Sequence, residues 1–214
     1  MPTILTVAGK ADSRAIVYPM LYILKHYGRV MVATDDGAYR RLYHGYEDSG
    51  EVSDVGVYVH PMIDAKVLTE EVNKLAPDFI VCVTNGYVPE YTTHLLVLTG
   101  YDKSFEGGNS HSKADLERGV DVSLAESDLV TVPKSMNPEN IREVLISNTP
   151  IKRTKSLSVC LKEGLLMHAA ECEEYKALIP HKSRDFVGIL AKILCPFILS
   201  VNEAEIPSLF GFKK

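Results

Sequence analysis

The sequence predicts an α/β protein built on an open, mostly parallel sheet with helices on both faces. Two observations point there. Short apolar runs alternate with longer segments of helical periodicity over residues 3–146, the order expected of right-handed crossover units. Several of the runs also lack a polar side: Phe79-Ile80-Val81-Cys82-Val83 is apolar throughout, as a strand covered on both faces should be. Composition agrees. The 214 residues are 46% apolar and 24% charged, with 14 Gly and 11 Pro, which suits one domain with a sizeable core. It excludes collagen-like, low-complexity and wholly disordered chains.

The elements follow in order. Thr3 to Ala8 reads as the first strand. Ser13 to Tyr27 places apolar residues at 16, 17, 20, 21 and 24, a helical stripe, with Asp12 or Ser13 as cap and Gly28 as stop. Pro19 inside it predicts a kink or a delayed start. Arg29 to Ala33 and Val55 to His60 are the next strands. Asp64 to Leu75, with Ala65, Leu68, Val72 and Leu75 on one side, is a helix that stops before Pro77. Asp78 to Val83, His94 to Thr99 and Asp128 to Val132 complete six strands. Pro138 to Ile146 opens with proline, a favoured first helical position, and reads as a helix. Leu161 to Ala177 and Ser183 to Leu194 are the last helices, and Phe197 to Val201 is a candidate seventh strand.

Residues 102–127 break the alternation. The run Asp102-Lys103-Ser104-Phe105-Glu106-Gly107-Gly108-Asn109-Ser110-His111-Ser112 is a polar, Gly-rich loop, and loops of that length are often functional. The organisation expected is an α/β core over residues 1–152 and a helical C-terminal extension, residues 153–214, packed on the same domain.

Charge and cysteine usage narrow the function classes. A net charge of −5 argues against nucleic acid as a partner. The four cysteines, 82, 160, 172 and 195, contain no C-x-x-C pair, which argues against a zinc ribbon or a thioredoxin-like motif. Cys82 lies in an apolar run and reads as a buried thiol. No apolar stretch approaches the roughly 20 residues of a membrane span, and the N-terminus lacks a basic, then apolar, leader. A soluble, cytoplasmic protein is expected. The seven His are scattered, with no H-E-x-x-H, and no G-x-S-x-G elbow occurs, so no catalytic residue and no metal site are assigned. Tyr18, Tyr22, Tyr27, Tyr39, Tyr43 and Tyr46 either bury their rings or form an interface.

In open α/β sheets ligands bind beyond the carboxyl ends of the strands. The turn after the first strand, Ala8-Gly9-Lys10-Ala11-Asp12-Ser13-Arg14, therefore comes first. Gly9, Lys10, Ser13 and Arg14 could meet an anion at a helix N-terminus. Yet the turn holds one glycine, and matches neither G-x-x-x-x-G-K-[ST] nor G-x-G-x-x-G. Asp35 and Asp36, after the second strand, either contact a ligand or Mg²⁺ or cap the next turn. Asn85 and Gly86 follow the fourth strand and complete the candidate ligand site.

These residues carry a resemblance. Ile4 to Lys10, a helix, then Gly28-Arg29-Val30-Met31-Val32-Ala33-Thr34-Asp35 resembles the opening of the MinD/ParA family of deviant Walker ATPases. There a strand leads into K-G-G-x-G-K-[ST], and a later strand ends in D-x-D. Asp78 to Thr84 is similar to the family's D-Y-x-x-x-D-T strand. Asp128 to Pro133 with Pro138 to Pro150 is similar to its late strand, helix and G-x-P segment, so the likeness spans about residues 1–152. The resemblance implies a Rossmann-like, P-loop NTPase-like fold and a dimer. Lys10 falls on the signature lysine, and Asp35 on one acid of D-x-D. Ala11, Asp12, Ser13 and Arg14 stand in place of the glycine-bearing G-G-x-G, and Asp12 has the wrong sign for phosphate. Ala15 replaces the phosphate-binding lysine, Ile16 the Mg²⁺-binding hydroxyl and Val83 the Walker B aspartate. These departures imply a pseudo-ATPase with no cofactor.

Three readings follow. The first is a catalytically degenerate MinD/ParA-like scaffold or regulatory subunit, acting through a protein partner and as a homodimer. The second is a nucleotide-binding protein or ATPase whose rewritten loop takes ATP and Mg²⁺. The third is an unrelated Rossmann-like enzyme on a small molecule, with the loop 102–112 as a lid.

Overall fold

The computed structural model describes residues 2–9, 13–45, 47–61, 63, 65–101, 130, 132–147, 157–160 and 163–212. Eight strands form one sheet: β1 (Thr3–Gly9), β2 (Val30–Thr34), β3 (Ser49–Val52), β4 (Val55–Val59), β5 (Phe79–Thr84), β6 (His94–Tyr101), β7 (Ile141–Ser147) and β8 (Leu157–Cys160). Their order across the sheet is β3-β4-β2-β5-β1-β6-β7-β8. Every pairing is parallel except that of β3 with β4, an antiparallel hairpin at one edge. The helices are α1 (Arg14–Leu24), α2 (Ala65–Leu75), α3 (Glu163–Tyr175), α4 (Arg184–Leu194) and the short α5 (Ile206–Leu209).

The continuous apolar strands have the double burial their sequences call for. Leu5, Val7, Val32, Val81, Val83, Leu96, Leu98, Val144 and Ile146 face one side, in one cluster with α1, α3 and α4. Met31, Ala33, Ile80 and Cys82 face the other, where Leu68 of α2 covers them. Further along that second face, Ala8, Leu95 and Val97 pack with Val130.

Helix α1 is nearly all core. Ala15 to Leu21, Ile23 and Leu24 are buried, and the helix runs through Pro19. Its start is not the cap that the sequence suggests. Ser13 is the N-cap residue but makes no side-chain capping bond, because its hydroxyl is shared with Tyr39 Oη at 2.9 Å. Helix α4 is capped as such helices usually are, with Ser183 Oγ accepting from the N–H of Phe186.

The second half departs from expectation. The predicted helix over 138–146 is strand β7, preceded by a single 3-10 turn, Pro138–Asn140. Pro138 opens that turn, and Asn137 caps it through the N–H of Glu139. The aliphatic run Val144-Leu145-Ile146 is then buried on both faces between β6 and β8. The predicted strand 197–201 is a turn and loop, in which Leu199 is buried and the Phe197 ring meets His94 and Arg142. Of the predicted strand 128–132, residues 130 and 132 are in no strand, and the others lie outside the described residues, as does the loop 102–112. Besides β7, two more strands stand where the sequence predicts none. β3 (Ser-Gly-Glu-Val) is short and half polar, and β8 (Leu-Ser-Val-Cys) is four residues long. β8 also means that residues after 153 add an edge strand to the sheet as well as helices.

Candidate functional site: a cleft at the carboxyl ends of three central strands

Strands β2, β5 and β1 are neighbours, so their carboxyl ends open side by side. A cleft of about 680 Å³ lies there, lined by Gly9, Ser13, Arg14, Asp35, Asp36, Gly37, Pro61, Val83, Thr84 and Asn85. Six of the candidates read from the sequence thus meet in one place. Gly86 stands beside it with φ 96°, making the turn after β5. Lys10 lies outside the described residues, as do Ala11 and Asp12. Gly37, Pro61, Val83 and Thr84 were missed. The strand-end rule that selected Asn85 would have reached Pro61, just beyond β4, and Thr84, the last residue of β5.

The charges are arranged as follows. Asp36 Oδ1 accepts from the N–H of Ala38 at 2.8 Å, capping the 3-10 turn Gly37–Leu42. That is the capping role its Asp-Asp-Gly context allowed. Asp35 is half-buried, and burial raises its carboxyl above the usual range, although the N–H of Asn85 bonds it and opposes the rise. Arg14 is not free for an anion. Its Nη1 is 2.8 Å from Glu173 Oε1 on α3, with both side chains mostly buried. The same carboxylate oxygen accepts from Tyr18 Oη at 2.9 Å, and burial among Tyr39 and Glu173 raises the Tyr18 phenol. Tyr18 and Tyr39 meet edge to face, 5.5 Å between centroids. Tyr18, Tyr39 and Tyr43 are therefore core, Tyr22 and Tyr27 pack partly buried against it, and Tyr46 lies outside the described residues. Burial is thus the outcome for Tyr18, Tyr39 and Tyr43. Ala15, Ile16 and Val83 are buried apolar side chains, exposed by 4% or less.

Among the described residues no group of three or more His, Cys, Asp or Glu is placed to hold a metal ion. All four cysteines are free, and burial pushes the Cys82 thiol up to about 12, which leaves it unreactive at neutral pH.

A second, smaller cavity of about 240 Å³ lies between β8, α3 and α4, lined in part by Cys160, Leu165, His181, Ser183 and Phe186. His181 and His168 touch beneath it, ring centroids 4.7 Å apart, and both are buried. Burial, reinforced by His168, holds the His181 imidazole down at about 4, and burial lowers His168 also. Both rings are neutral in the fold at pH 7. Below the ordinary histidine range the unfolded chain takes protons that the folded chain refuses. Stability is therefore expected to be full above about pH 6.5 and to fall between there and pH 4, by roughly 2–3 kcal/mol from His181 alone. Urea titrations across that range check this, and His181→Gln should flatten the slope. An equal slope in the variant would place the loss elsewhere.

No family model matches the chain, and no curated protein matches it in sequence. Solved structures do match. One is the Borrelia burgdorferi B31 protein BB_S35, described as a plasmid partition protein and crystallised with AMPPNP. It superposes with a TM-score of 0.53 at 15% identity, over 94% of this chain and 100% of that one. At that identity the likeness speaks for the fold alone: an α/β, P-loop NTPase-like architecture. No helix among the described residues is long and apolar enough to cross a membrane.

Proposed function

We propose that this chain is a catalytically degenerate ParA/MinD-like module, a scaffold or regulatory subunit that acts through protein contacts and does not turn over ATP. One observation carries the reading. The described wall of the cleft offers two carboxylates, and its one cation, Arg14, is already held by Glu173. A triphosphate brings several negative charges and needs donors and cations that are free to meet it. This lining does not fit that group. The positions that resemble the family's phosphate lysine, Mg²⁺ hydroxyl and Walker B acid hold Ala15, Ile16 and Val83, all buried and apolar. Phosphoryl transfer rests almost wholly on such positioning and charge, so no step of it is assigned here. A homodimer through the face that carries the cleft is part of the same reading.

The second reading keeps a nucleotide. It is favoured by the size and place of the cleft, and by the AMPPNP bound to BB_S35. Lys10, with Arg14 released from Glu173, would then supply the charge.

Thermal unfolding with and without ATP, ADP and Mg²⁺ separates the two. A ligand at about 100 times its Kd adds roughly 2.7 kcal/mol. No shift at millimolar nucleotide is expected, together with no phosphate release. A clear Mg²⁺-dependent shift that Lys10→Ala/Arg14→Ala abolishes would establish the second reading instead. Sedimentation velocity tests the dimer.

A further inference from the structure

The cavity of about 240 Å³ between β8, α3 and α4 shares no lining residue with the cleft. β8 is the third strand beyond β1, so the two sites are apart on the sheet. Val159, Leu165, Phe186 and Ile189 make its apolar wall, and all but Ile189 are buried. Its polar groups stand at two depths. His181 is buried, whereas Ser183 and Asp185 are exposed, so the cavity meets solvent beside them. A dry cavity of about 150 Å³ accepts benzene. The larger volume here leaves room for one ring with a polar substituent, or for two small fused rings. Gly164, in the first turn of α3, also lines it. A Cβ there would meet nothing within 4 Å among the described residues, and its φ is not left-handed. Neither packing nor backbone calls for glycine, and alanine would suit the helix better. The missing side chain keeps the cavity open.

The lining has hydrogen-bonding capacity to spare. His181 Nδ1 accepts from the N–H of Ser183 at 3.0 Å, so the hydrogen of the neutral ring is on Nε2. Ser183 Oγ accepts from the N–H of Phe186, which leaves its O–H to donate. Asp185 is in no ion pair among the described residues and offers two acceptor oxygens. His168, packed against His181, gives its Nε2 to the Ile179 carbonyl, and its buried Nδ1 has no partner. An unmet buried acceptor is uncommon, and this one lies against the ring that lines the cavity. Charge narrows the ligand further. The first turns of α3 and α4 both line the cavity, and helix starts disfavour a cation. The Asp185 carboxylate disfavours an anion. A neutral ligand is left.

We propose that this cavity binds a compact neutral aromatic molecule with one hydrogen-bond donor, of the phenol or indole class. The ring lies among Val159, Leu165, Phe186 and Ile189, and its O–H or N–H donates to Asp185 at the mouth. An apolar wall with a few polar groups that fix orientation is the usual build of a small-molecule site. A bound ring touches β8 and both helices, and so braces α3 against α4. The site goes beyond the reading of the cleft and does not depend on whether the cleft takes a nucleotide.

The test is titration of the full chain with indole, read by the fluorescence of indole itself, which a chain without tryptophan does not mask. Phenol is read by its displacement of indole and by a raised melting temperature. A Kd of roughly 0.1–1 mM is expected for ligands of this size. Toluene fills the ring space but lacks the donor, and should bind about tenfold more weakly. Benzoate and benzylamine, which carry charge, should be weaker by at least as much. Asp185→Ala should weaken indole by about tenfold and leave toluene unchanged. Gly164→Leu should weaken both by about tenfold or more, by filling the space. Should that variant not fold, methyl NMR of the parent chain decides. Indole should move the signals of Val159, Leu165 and Ile189 and leave that of Val83, in the cleft, in place. Absence of indole and phenol binding overturns the proposal, as does undiminished binding by a folded Gly164→Leu protein. Benzylamine or benzoate binding as tightly as phenol overturns the ligand class. A shift at Val83 with none at Val159 overturns the site.

Discussion

Glu173→Ala is expected to lower stability by about 3–5 kcal/mol, the range for breaking a buried ion pair from one side. The carboxylate side chain is 13% exposed and its Arg14 partner 22%, so solvent does little to replace what is lost. Two groups depend on it. Arg14 loses the carboxylate 2.8 Å from its guanidinium, and the fully buried Tyr18 loses the acceptor of its hydroxyl. An unmet buried hydroxyl alone costs about 1–3 kcal/mol. Glu173→Gln should cost less, because an amide oxygen still accepts from Tyr18 while the charge pairing is gone. Urea unfolding reads both. The midpoint should fall while the slope stays that of the parent, since the surface exposed on unfolding is unchanged. An alanine variant within about 0.5 kcal/mol of the parent would mean that the pair is solvated in solution. The same substitution takes the Glu173 carboxylate away from Arg14 at the edge of the cleft. If the lining excludes polyphosphate because Arg14 is engaged, the variant should gain affinity for inorganic pyrophosphate that the parent lacks.

How much of this was legible beforehand depended on whether the signal was local. Phe79 to Val83 reads as a doubly covered strand from its own composition, and it is one. The carboxyl-end rule then needed only strand positions to bring Gly9, Ser13, Arg14, Asp35, Asp36 and Asn85 together. Partnerships across the chain were invisible. Nothing in the sequence near Arg14 announces Glu173, which is 159 residues away, and so a cation read as an anion contact turned out to be committed. Ser13 looked like a cap and is tied to Tyr39 for the same reason. The error over 138–146 was of another kind. Pro138 is a true turn-former, but one 3-10 turn satisfies it, and the β-branched and aliphatic residues that follow are claimed by strands on both sides. The edge strands β3 and β8 were lost because four residues give no periodicity to read.

Gly9→Ala should be nearly as damaging as the loss of Glu173, and for a backbone reason. Gly9 ends β1 with φ +153°, opposite Leu98 of β6. A Cβ there would stand 2.3 Å from the Leu98 carbonyl oxygen and 3.1 Å from its Cβ. The obstacle is main chain, not the tip of a side chain that can swing away. β1 cannot retreat, because β5 holds its other edge over six register pairs. Strain at such a φ costs about 1–3 kcal/mol, and forcing atoms into a packed interior adds a similar amount, so a loss of about 4 kcal/mol is expected. The strand must part from β6 where Gly9 lines the cleft, so the damage falls on the site as well as on the fold. Gly188→Ala is the matched control. It lies within α4, nothing stands within 4 Å of the added Cβ, and its φ is not in the left-handed range. Alanine there should stabilise by about 0.5–1 kcal/mol through helix propensity. Chemical denaturation of the two variants should therefore move in opposite directions. A Gly9→Ala protein as stable as the parent would show that β1 and β6 separate at this end without cost, and that the cleft has a movable wall.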